Sequence, residues 1–589
     1  MQTARMSYIS YGGQADVESA AYGDLAVIAP MLERMNVKQI IDQHLPSDPQ
    51  AEFPIGTILN LLIAARMYSP VALMNVANWA ASSGADLIFG MPVEKMTDDR
   101  LGRALDHFFK QRHSILSSIA LHVSKEFDIP LREVHYDPTH IQFTGAYETA
   151  VARKGVVAED EHNANGLIRS DELLEPAHIT KGRAMEDAPK GSKMIHAGLC
   201  VQVDEYGPLP LYGHTVDGNQ NGRQAVREQF ELWRKHLPSL KMTMISDRGT
   251  YSVGHLLRLK ENGCEAICSA PWGEFRELFD EKFSSLLWNQ ASYLSMEQKR
   301  RREEHSDLPL EHYKLAVVRH TLKDEQTQQQ IACRVIFVES TADRKVVRQQ
   351  RQKQIDRITA EFQKIRTCVD AGRARSDEPS VSRRITKALG TSGVGKYFTY
   401  QLVPLTPAEL KKLPPRGRGC RQPTHRFTYS FDEAQLRSDE KYDGYNAIVA
   451  TVKQTSANDL FTRFKQQAYS EQVNARFKGP LAVRPVFLHK PERVEALVFL
   501  LMIALTLHFL IQRTYRSNLP SDATEKQRRT TTLTLLKAFD NYAIQVEGNR
   551  YQKIVRATKL NSRQREILQL LELPTPAQFL SRLLPRPPT

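Results

Sequence analysis

Apolar residues recur at three- and four-residue spacing through residues 20–130. The runs "LAVIAPMLERMNVKQIIDQHL", "IGTILNLLIAARMYSPVALMNVANWAASS" and "TDDRLGRALDHFFKQRHSILSSIALHVSKEF" have the period of helices that bury one face. Thr97 or Asp98 is the expected N-cap of the third. At residue 131 the period falls to two. "REVHYDPTHIQFTG" predicts a strand; "KMIHAGLCVQVD" and "GPLPLYGHTVDG" predict two more, joined by a turn at "DEYG". The polar stretch 150–192 reads as a loop. "GRQAVREQFELWRKHL" predicts a helix, "KMTMISDRG" a strand ending at Asp247, "YSVGHLLRLKENG" a helix stopped by Gly263, and "CEAICSA" a strand. This order points to a mixed α/β layer rather than a β-sandwich.

The pattern changes again over residues 273–440. "HYKLAVVRHTL" and "QQQIACRVIFVES" predict a hairpin across "KDEQT". A long charged helix follows from Ala342 to about Val369, with Val346, Ile355, Ile358, Phe362 and Ile365 on one face. "KYFTYQLVPL", "HRFTYSFD" and "YNAIVATV" read as further strands, so this region is expected to be an inserted β-rich module with one helical arm. Beyond it, residues 457–478 predict one helix capped by Ser456 or Asn458, and 494–513 a helix apolar on every side. The last 75 residues look helical and basic.

Length and charge narrow the classes. A chain of 589 residues holds roughly three or four domains at about 150 residues each. The net charge of +13 and pI near 9.3 suit a polyanionic partner, nucleic acid first and an anionic membrane surface second. The longest apolar run, Ala496 to Ile511, is shorter than the ~20 residues that span a bilayer. "MQTARMSYISYGG" lacks an apolar signal core. Six scattered cysteines form no zinc or disulfide framework, which fits a reducing cytoplasm.

The chemistry concentrates on strand-borne carboxylates. Asp and Pro are both unfavourable inside a strand, yet Asp137 and Pro138 sit in "VHYDPTH". Asp247 closes the apolar strand "MTMISD". Ligands gather at the carboxyl ends of strands in open α/β sheets, and two carboxylates brought together favour a divalent cation. The plainer alternative is that Asp137 caps a turn through Thr139 and Asp247 caps the next helix. A third option is a transition-metal site of His135, Asp137 and His140, although His140 alternates to the other face. Glu471 is the nearest candidate for a third carboxylate; Phe464, Gln467 and Lys478 fall at offsets that share its helix face. "GTSGVGKY" imitates a phosphate-binding loop, but Tyr397 replaces the required hydroxyl and a strand follows, so no nucleotide cofactor is expected.

The ordered set "IIDQHLP", "DDRLGRALDHFF", "VHYDPTHIQFTGAYE", "DGNQNG", "ISDRGTYS", "YDGYNAIVAT" and "YSEQVNARFKGPLAVRPVFLHKPERVEALVFLLMIAL" resembles the DDE transposases of bacterial insertion sequences, over most of the chain. The similar branch carries a Tyr-Arg-Glu-Lys signature and a β-rich insertion. The resemblance implies an α/β fold with an RNase H-like core, interrupted by that insertion and flanked by a helical N-terminal domain and a helical C-terminal region. It divides the chain into an end-binding part (1–130), the first part of the core (131–272), the insertion (273–440), the second part with the catalytic helix (441–513) and a basic C-terminal region (514–589).

The resemblance also implies that Asp137, Asp247 and Glu471 hold two Mg2+ ions, or Mn2+ in their place, for DNA cleavage and strand transfer. Glu471 and Lys478 match the signature; Phe464 and Gln467 depart from its Tyr and Arg, leaving Arg463, Lys465 or Arg476 to supply charge. The implied partners are terminal inverted repeats and target DNA, bound by a homodimer in the cytoplasm at the nucleoid, with no membrane. Arg248, Arg476, Lys478 and the basic run holding Lys411, Lys412, Arg416, Arg418 and Arg421 are the expected DNA contacts. A non-catalytic DNA-binding regulator and an RNase H-like nuclease without strand transfer remain the alternatives.

Overall fold

The computed structural model describes residues 17–583, except 47, 69–70, 144–146, 148–174, 183–191, 296–297, 300, 303–310, 373–377, 391–392, 414–421, 480–487 and 549–552. It opens with strand β1 (Val17–Ala20) and six helices, α1 (Leu25–Arg34), α2 (Val37–His44), α3 (Ile55–Tyr68), α4 (Val76–Ser83), α5 (Ala85–Phe89) and α6 (Asp98–Glu126). The Thr97 hydroxyl accepts the Arg100 N–H at 3.3 Å and starts α6, as the cap pattern predicts.

The strands expected after residue 131 are present. They are β2 (Glu133–Phe143), the short β3 (Thr180–Lys181), β4 (Lys193–Asp204) and β5 (Gly207–Asp217). Then come α7 (Gly222–His236), β6 (Thr243–Ser246), α8 (Val253–Glu261), β7 (Glu265–Ala270), α9 (Trp272–Lys282), β8 (Asn289–Gln290), β9 (Tyr313–Lys323) and β10 (Gln330–Ser340). In space the sheet runs β5 (with β3 on the same edge), β4, β2, β6, β7. β4 is antiparallel to β2 and β5, whereas β2, β6 and β7 are mutually parallel.

The region expected as a β-rich insertion divides in two. β9, β10 and β13 (Tyr445–Ala450) extend the main sheet, because β13 pairs antiparallel with β7 and β10 with β13. Their apolar residues therefore join the main cores rather than form a separate one. Only the chain between β10 and β13 stands apart. It comprises α10 (Thr341–Asp370), α11 (Glu378–Leu389), β11 (Phe398–Pro404), α12 (Pro407–Lys411), β12 (His425–Phe431) and α13 (Glu433–Glu440). Phe362, Phe398 and Phe427 belong to this part's own small core.

Helices α14 (Ala457–Lys465), α15 (Ala468–Lys478) and α16 (Pro491–Ser517) follow. α16 is long and apolar enough to cross a membrane, yet its most apolar stretch is wholly buried. It packs against α1, α3, α6, β5 and α15. A helix covered all round must be apolar all round. Several of its charged groups are paired. Arg112 of α6 donates from Nε to Glu495 at 2.8 Å with both side chains 1% exposed, and the Ala177 N–H donates to the same carboxylate at 2.5 Å. Arg493 grips Asp106 through two hydrogen bonds of 2.8 and 2.7 Å, and Arg513 holds Asp204. The N-terminal helices and the sheet consequently share one core.

The C-terminal part contains α17 (Glu525–Arg528), α18 (Thr532–Lys537), β14 (Ile544–Gly548), β15 (Lys553–Ala557), α19 (Ser562–Leu570) and α20 (Pro576–Leu583). The hairpin β14–β15 departs from the all-helical expectation. β1 supplies the reason: it pairs antiparallel with β14, making a three-stranded sheet that joins the two ends of the described chain.

Candidate active site at the ends of two parallel strands

β2 and β6 run in register from Glu133 opposite Thr243 to Tyr136 opposite Ser246. The next residues are Asp137 and Asp247. Asp247 is still extended, with φ −83° and ψ 179°. In-register residues of neighbouring parallel strands share a face, so continuing the register by one residue puts Asp137 and Asp247 on the same face of adjacent strands. Burial, then the neighbouring Cys200, Glu228, Asp137 and Asp247, hold the Tyr136 phenol well above its usual range, as expected of a group next to both acids. Pro138 has no N–H to continue the ladder, and the pairing with β6 stops just before it. β2 nevertheless continues along β4 to Phe143, with Pro138 opposite Gly198. The β2–β6 pairing therefore ends at the two acids.

Asp247 caps the turn that follows β6. Its Oδ1 accepts the Gly249 N–H at 2.9 Å and its carbonyl accepts the Thr250 hydroxyl at 2.9 Å. These bonds form the turn Arg248–Thr250. Low-dielectric surroundings raise its carboxyl pKa although part of the side chain reaches solvent; the backbone N–H groups of Gly249 and Thr250 and the charge of Arg248 oppose the shift.

The helix expected over 457–478 is broken. α14 ends at Lys465 and α15 begins at Ala468, linked by short-range bonds from the Gln467 N–H to Phe464 O and from the Tyr469 N–H to Gln466 O. Ser456 caps α14 as expected, its hydroxyl accepting the Asp459 N–H at 3.0 Å. The break removes the shared face proposed for Phe464, Gln467, Glu471 and Lys478. Phe464 packs beside Ile245, Leu460 and Phe461, and Gln467 is the N-cap residue of α15.

α15 crosses β2, β4 and β5. It brings Asn474 to Asp137, with Nδ2 donating to Oδ2 of Asp137 at 2.9 Å. Glu471, three positions earlier, is exposed in the first turn. Sequence reasoning missed Asn474; its only signal was that same spacing from Glu471. Among the described residues no three His, Cys, Asp or Glu side chains are close enough to hold one ion, so Glu471 does not close a set with Asp137 and Asp247 here. The two carboxylates nonetheless suit a hard cation. Mg2+ commonly takes one or two carboxylates and keeps several waters. The alternative histidine site fares worse. His135 is fully buried between Glu133 and Arg463, and burial followed by the Arg463 charge pushes its pKa down to about 3.

The basic candidates are dispersed. Arg248 is exposed beside Asp247, and Arg476 and Lys478 are half-buried on α15. Arg463 donates to Glu133 at 2.6 Å, and the Lys465 ammonium lies 4.8 Å from the Tyr313 ring centre. Both are thus committed to other partners. Lys411 and Lys412 are exposed at the end of α12; Arg416, Arg418 and Arg421 lie outside the described residues.

Residues 17–121 match the family model of a domain of unknown function, DUF4277. No curated protein matches the chain.

Proposed function

We propose that the protein is a divalent-metal-dependent transposase that cleaves DNA at element ends and joins them to target DNA. The carrying observation is the placement of Asp137 and Asp247 on one face of adjacent strands where the β2–β6 ladder ends. The strand order β5-β4-β2-β6-β7, with the last three parallel, supports an RNase H-like core. The domain matched over residues 17–121 occurs in transposase-like proteins, which supports the same reading.

In this reading Asp137 and Asp247 hold the ions, and Glu471 joins them by swinging its exposed side chain inward from the adjoining line of α15. Bound divalent ions activate the attacking oxygen and neutralise charge on the transferring phosphoryl group. Arg248, exposed next to Asp247, would meet a phosphate at the two acids, and Arg476, Lys478, Lys411, Lys412 and the basic run through Arg416, Arg418 and Arg421 would hold the backbone electrostatically. The protein's task is positioning more than covalent chemistry. DNA ends would be brought together by a homodimer, in the cytoplasm at the nucleoid.

Asp137→Ala, Asp247→Ala and Glu471→Ala should each abolish Mg2+-dependent cleavage of a labelled element end while leaving end binding intact. Retained cleavage in any variant removes that residue from the catalytic set. Phe464, turned to packing, and Gln467, at the N-cap position of α15, favour as a second reading a non-catalytic DNA-binding regulator. Binding without cleavage in the unmodified protein would select it, whereas cleavage without joining would indicate a nuclease.

A further inference from the structure

Charge is spread unevenly along the chain. Residues 341–440, the part that stands apart between β10 and β13, hold 21 Lys and Arg against 11 Asp and Glu, a net +10 in a chain whose total is +13. Residues 1–130, the expected end-binding part, hold 10 against 14 and are net acidic. Within the basic part four cations gather where two helices meet. Arg384 of α11 donates to Glu361 of α10 at 2.9 Å, and the Arg357 guanidinium reaches the Ala388 carbonyl at 3.4 Å. Advancing along one helix thus means retreating along the other, so α10 and α11 run antiparallel. Lys353 and Arg357 lie one turn apart on α10, Arg383 and Lys387 one turn apart on α11, and all four are exposed. Lys387 adjoins Ala388, so the two pairs line one seam. Like charges at this spacing destabilise a helix. The neighbouring carboxylates do little to offset them: Glu361 is taken by Arg384 and by Lys364 at 3.8 Å, and Asp356 accepts the Gln352 amide at 2.8 Å. Among the described residues Lys353, Arg383 and Lys387 have no ion pair.

We propose that the α10–α11 seam holds the backbone of a DNA duplex, with Lys353, Arg357, Arg383 and Lys387 each meeting a phosphate, and that the acidic N-terminal helices add little to backbone binding. A polyanion laid along the seam neutralises the repulsion that the four cations otherwise impose on it. Gln349 and Gln350, exposed about one turn before Lys353, add amide donors of the kind that bind phosphate and sugar oxygens. Such contacts carry no sequence information; they supply affinity and orientation. The inference rests on the reading of DNA as the partner and deepens it by naming where the duplex lies; it does not depend on the two acids or on a metal.

The test is a fluorescence-anisotropy titration of a labelled mixed-sequence duplex with the full chain, without divalent metal, over a series of salt concentrations. Lys353→Gln, Arg357→Gln, Arg383→Gln and Lys387→Gln combined should weaken binding by about tenfold or more. They should also lower the slope of log affinity against log salt by about three to four, since each phosphate contact contributes about 0.9. Lys353→Gln with Lys387→Gln alone, a milder change should the fourfold variant fail to fold, should lower the slope by about two. Lys353→Arg with Lys387→Arg keeps the charge and should bind as the unmodified protein does. Arg103→Gln, Lys110→Gln and Lys125→Gln combined, on exposed positions of α6, should leave affinity and slope unchanged. An unchanged slope in the seam variants, or an equal loss in the α6 variant, overturns this inference and leaves the DNA reading standing. Seam variants that lose binding to phosphatidylglycerol vesicles while keeping duplex binding overturn it in favour of a membrane surface. Absence of duplex binding by the unmodified protein overturns the DNA reading and this inference with it.

Discussion

The buried pair of Arg112 and Glu495 sets up a double-mutant cycle with a definite outcome. Both side chains are 1% exposed, and they join the N-terminal helices to the core helix α16. Arg112 also donates from Nη1 to the Phe109 carbonyl at 2.6 Å and lies 3.9 Å over the Phe109 ring. Arg112→Leu takes the guanidinium from the buried Glu495 carboxylate, which keeps the Ala177 N–H; Glu495→Leu takes the carboxylate from the buried guanidinium, which keeps the Phe109 carbonyl. Either change should cost about 3–5 kcal/mol, because a buried charge loses its opposite partner. The double variant removes both members of the pair. It still loses the acceptor of the Ala177 N–H, worth about 1–3 kcal/mol. The singles then sum to about 6–10 kcal/mol against about 1–3 kcal/mol for the double, a coupling of several kcal/mol. Urea denaturation followed by far-UV circular dichroism measures all three. Single variants that cost under about 1 kcal/mol, or costs that simply add, would refute the claim that the pair is desolvated and mutually dependent.

Two further outcomes follow from local chemistry. A Cβ on Gly198 would lie 2.4 Å from the Tyr136 hydroxyl and 2.7 Å from His214 Cε1, so Gly198→Ala should lower stability by about 1–3 kcal/mol in the same denaturation assay, and an unchanged midpoint would show that β4 has slack there. Asp24 has its pKa raised to about 6 by burial and by the nearby Asp540. Its folded value exceeds the unfolded one, so its contribution is full below pH 4 and is lost as pH rises through 6, by up to about 3 kcal/mol. Asp24→Asn should therefore stabilise the protein at pH 8 and change little at pH 4; a melting-temperature difference that is the same at both pH values rules this out.

The sequence carried the two aspartates well because each breaks a local rule. Asp137 and Pro138 are out of character inside a strand, and Asp247 ends an apolar one; register then made them neighbours. Helix α16 was legible from its uniform apolarity, and the β9–β10 hairpin from its alternation. Other features left no comparable mark. Nothing in "RFKQQAYSE" has the Gly or Pro that usually signals a helix break, so the turn at Gln466 and Gln467 stayed hidden. Asn474 is ordinary for a helix exterior, and only its contact with Asp137 reveals its place. β14 and β15 are five residues each, and their partner β1 lies at the other end of the chain, beyond the reach of any local pattern.

That last pairing constrains how the molecule can be made. Val17 faces Glu547, and α1, α3 and α6 complete their apolar contacts against α16. At about 5–20 residues per second, a ribosome needs roughly half a minute to two minutes to pass from β1 to β14. During that interval the first helices have been synthesised but lack their covering helix, and β1 has no strand to join. The N-terminal layer is thus among the first parts synthesised and among the last to close, and the nascent chain must stay soluble with that apolar face unburied until its C-terminal third arrives.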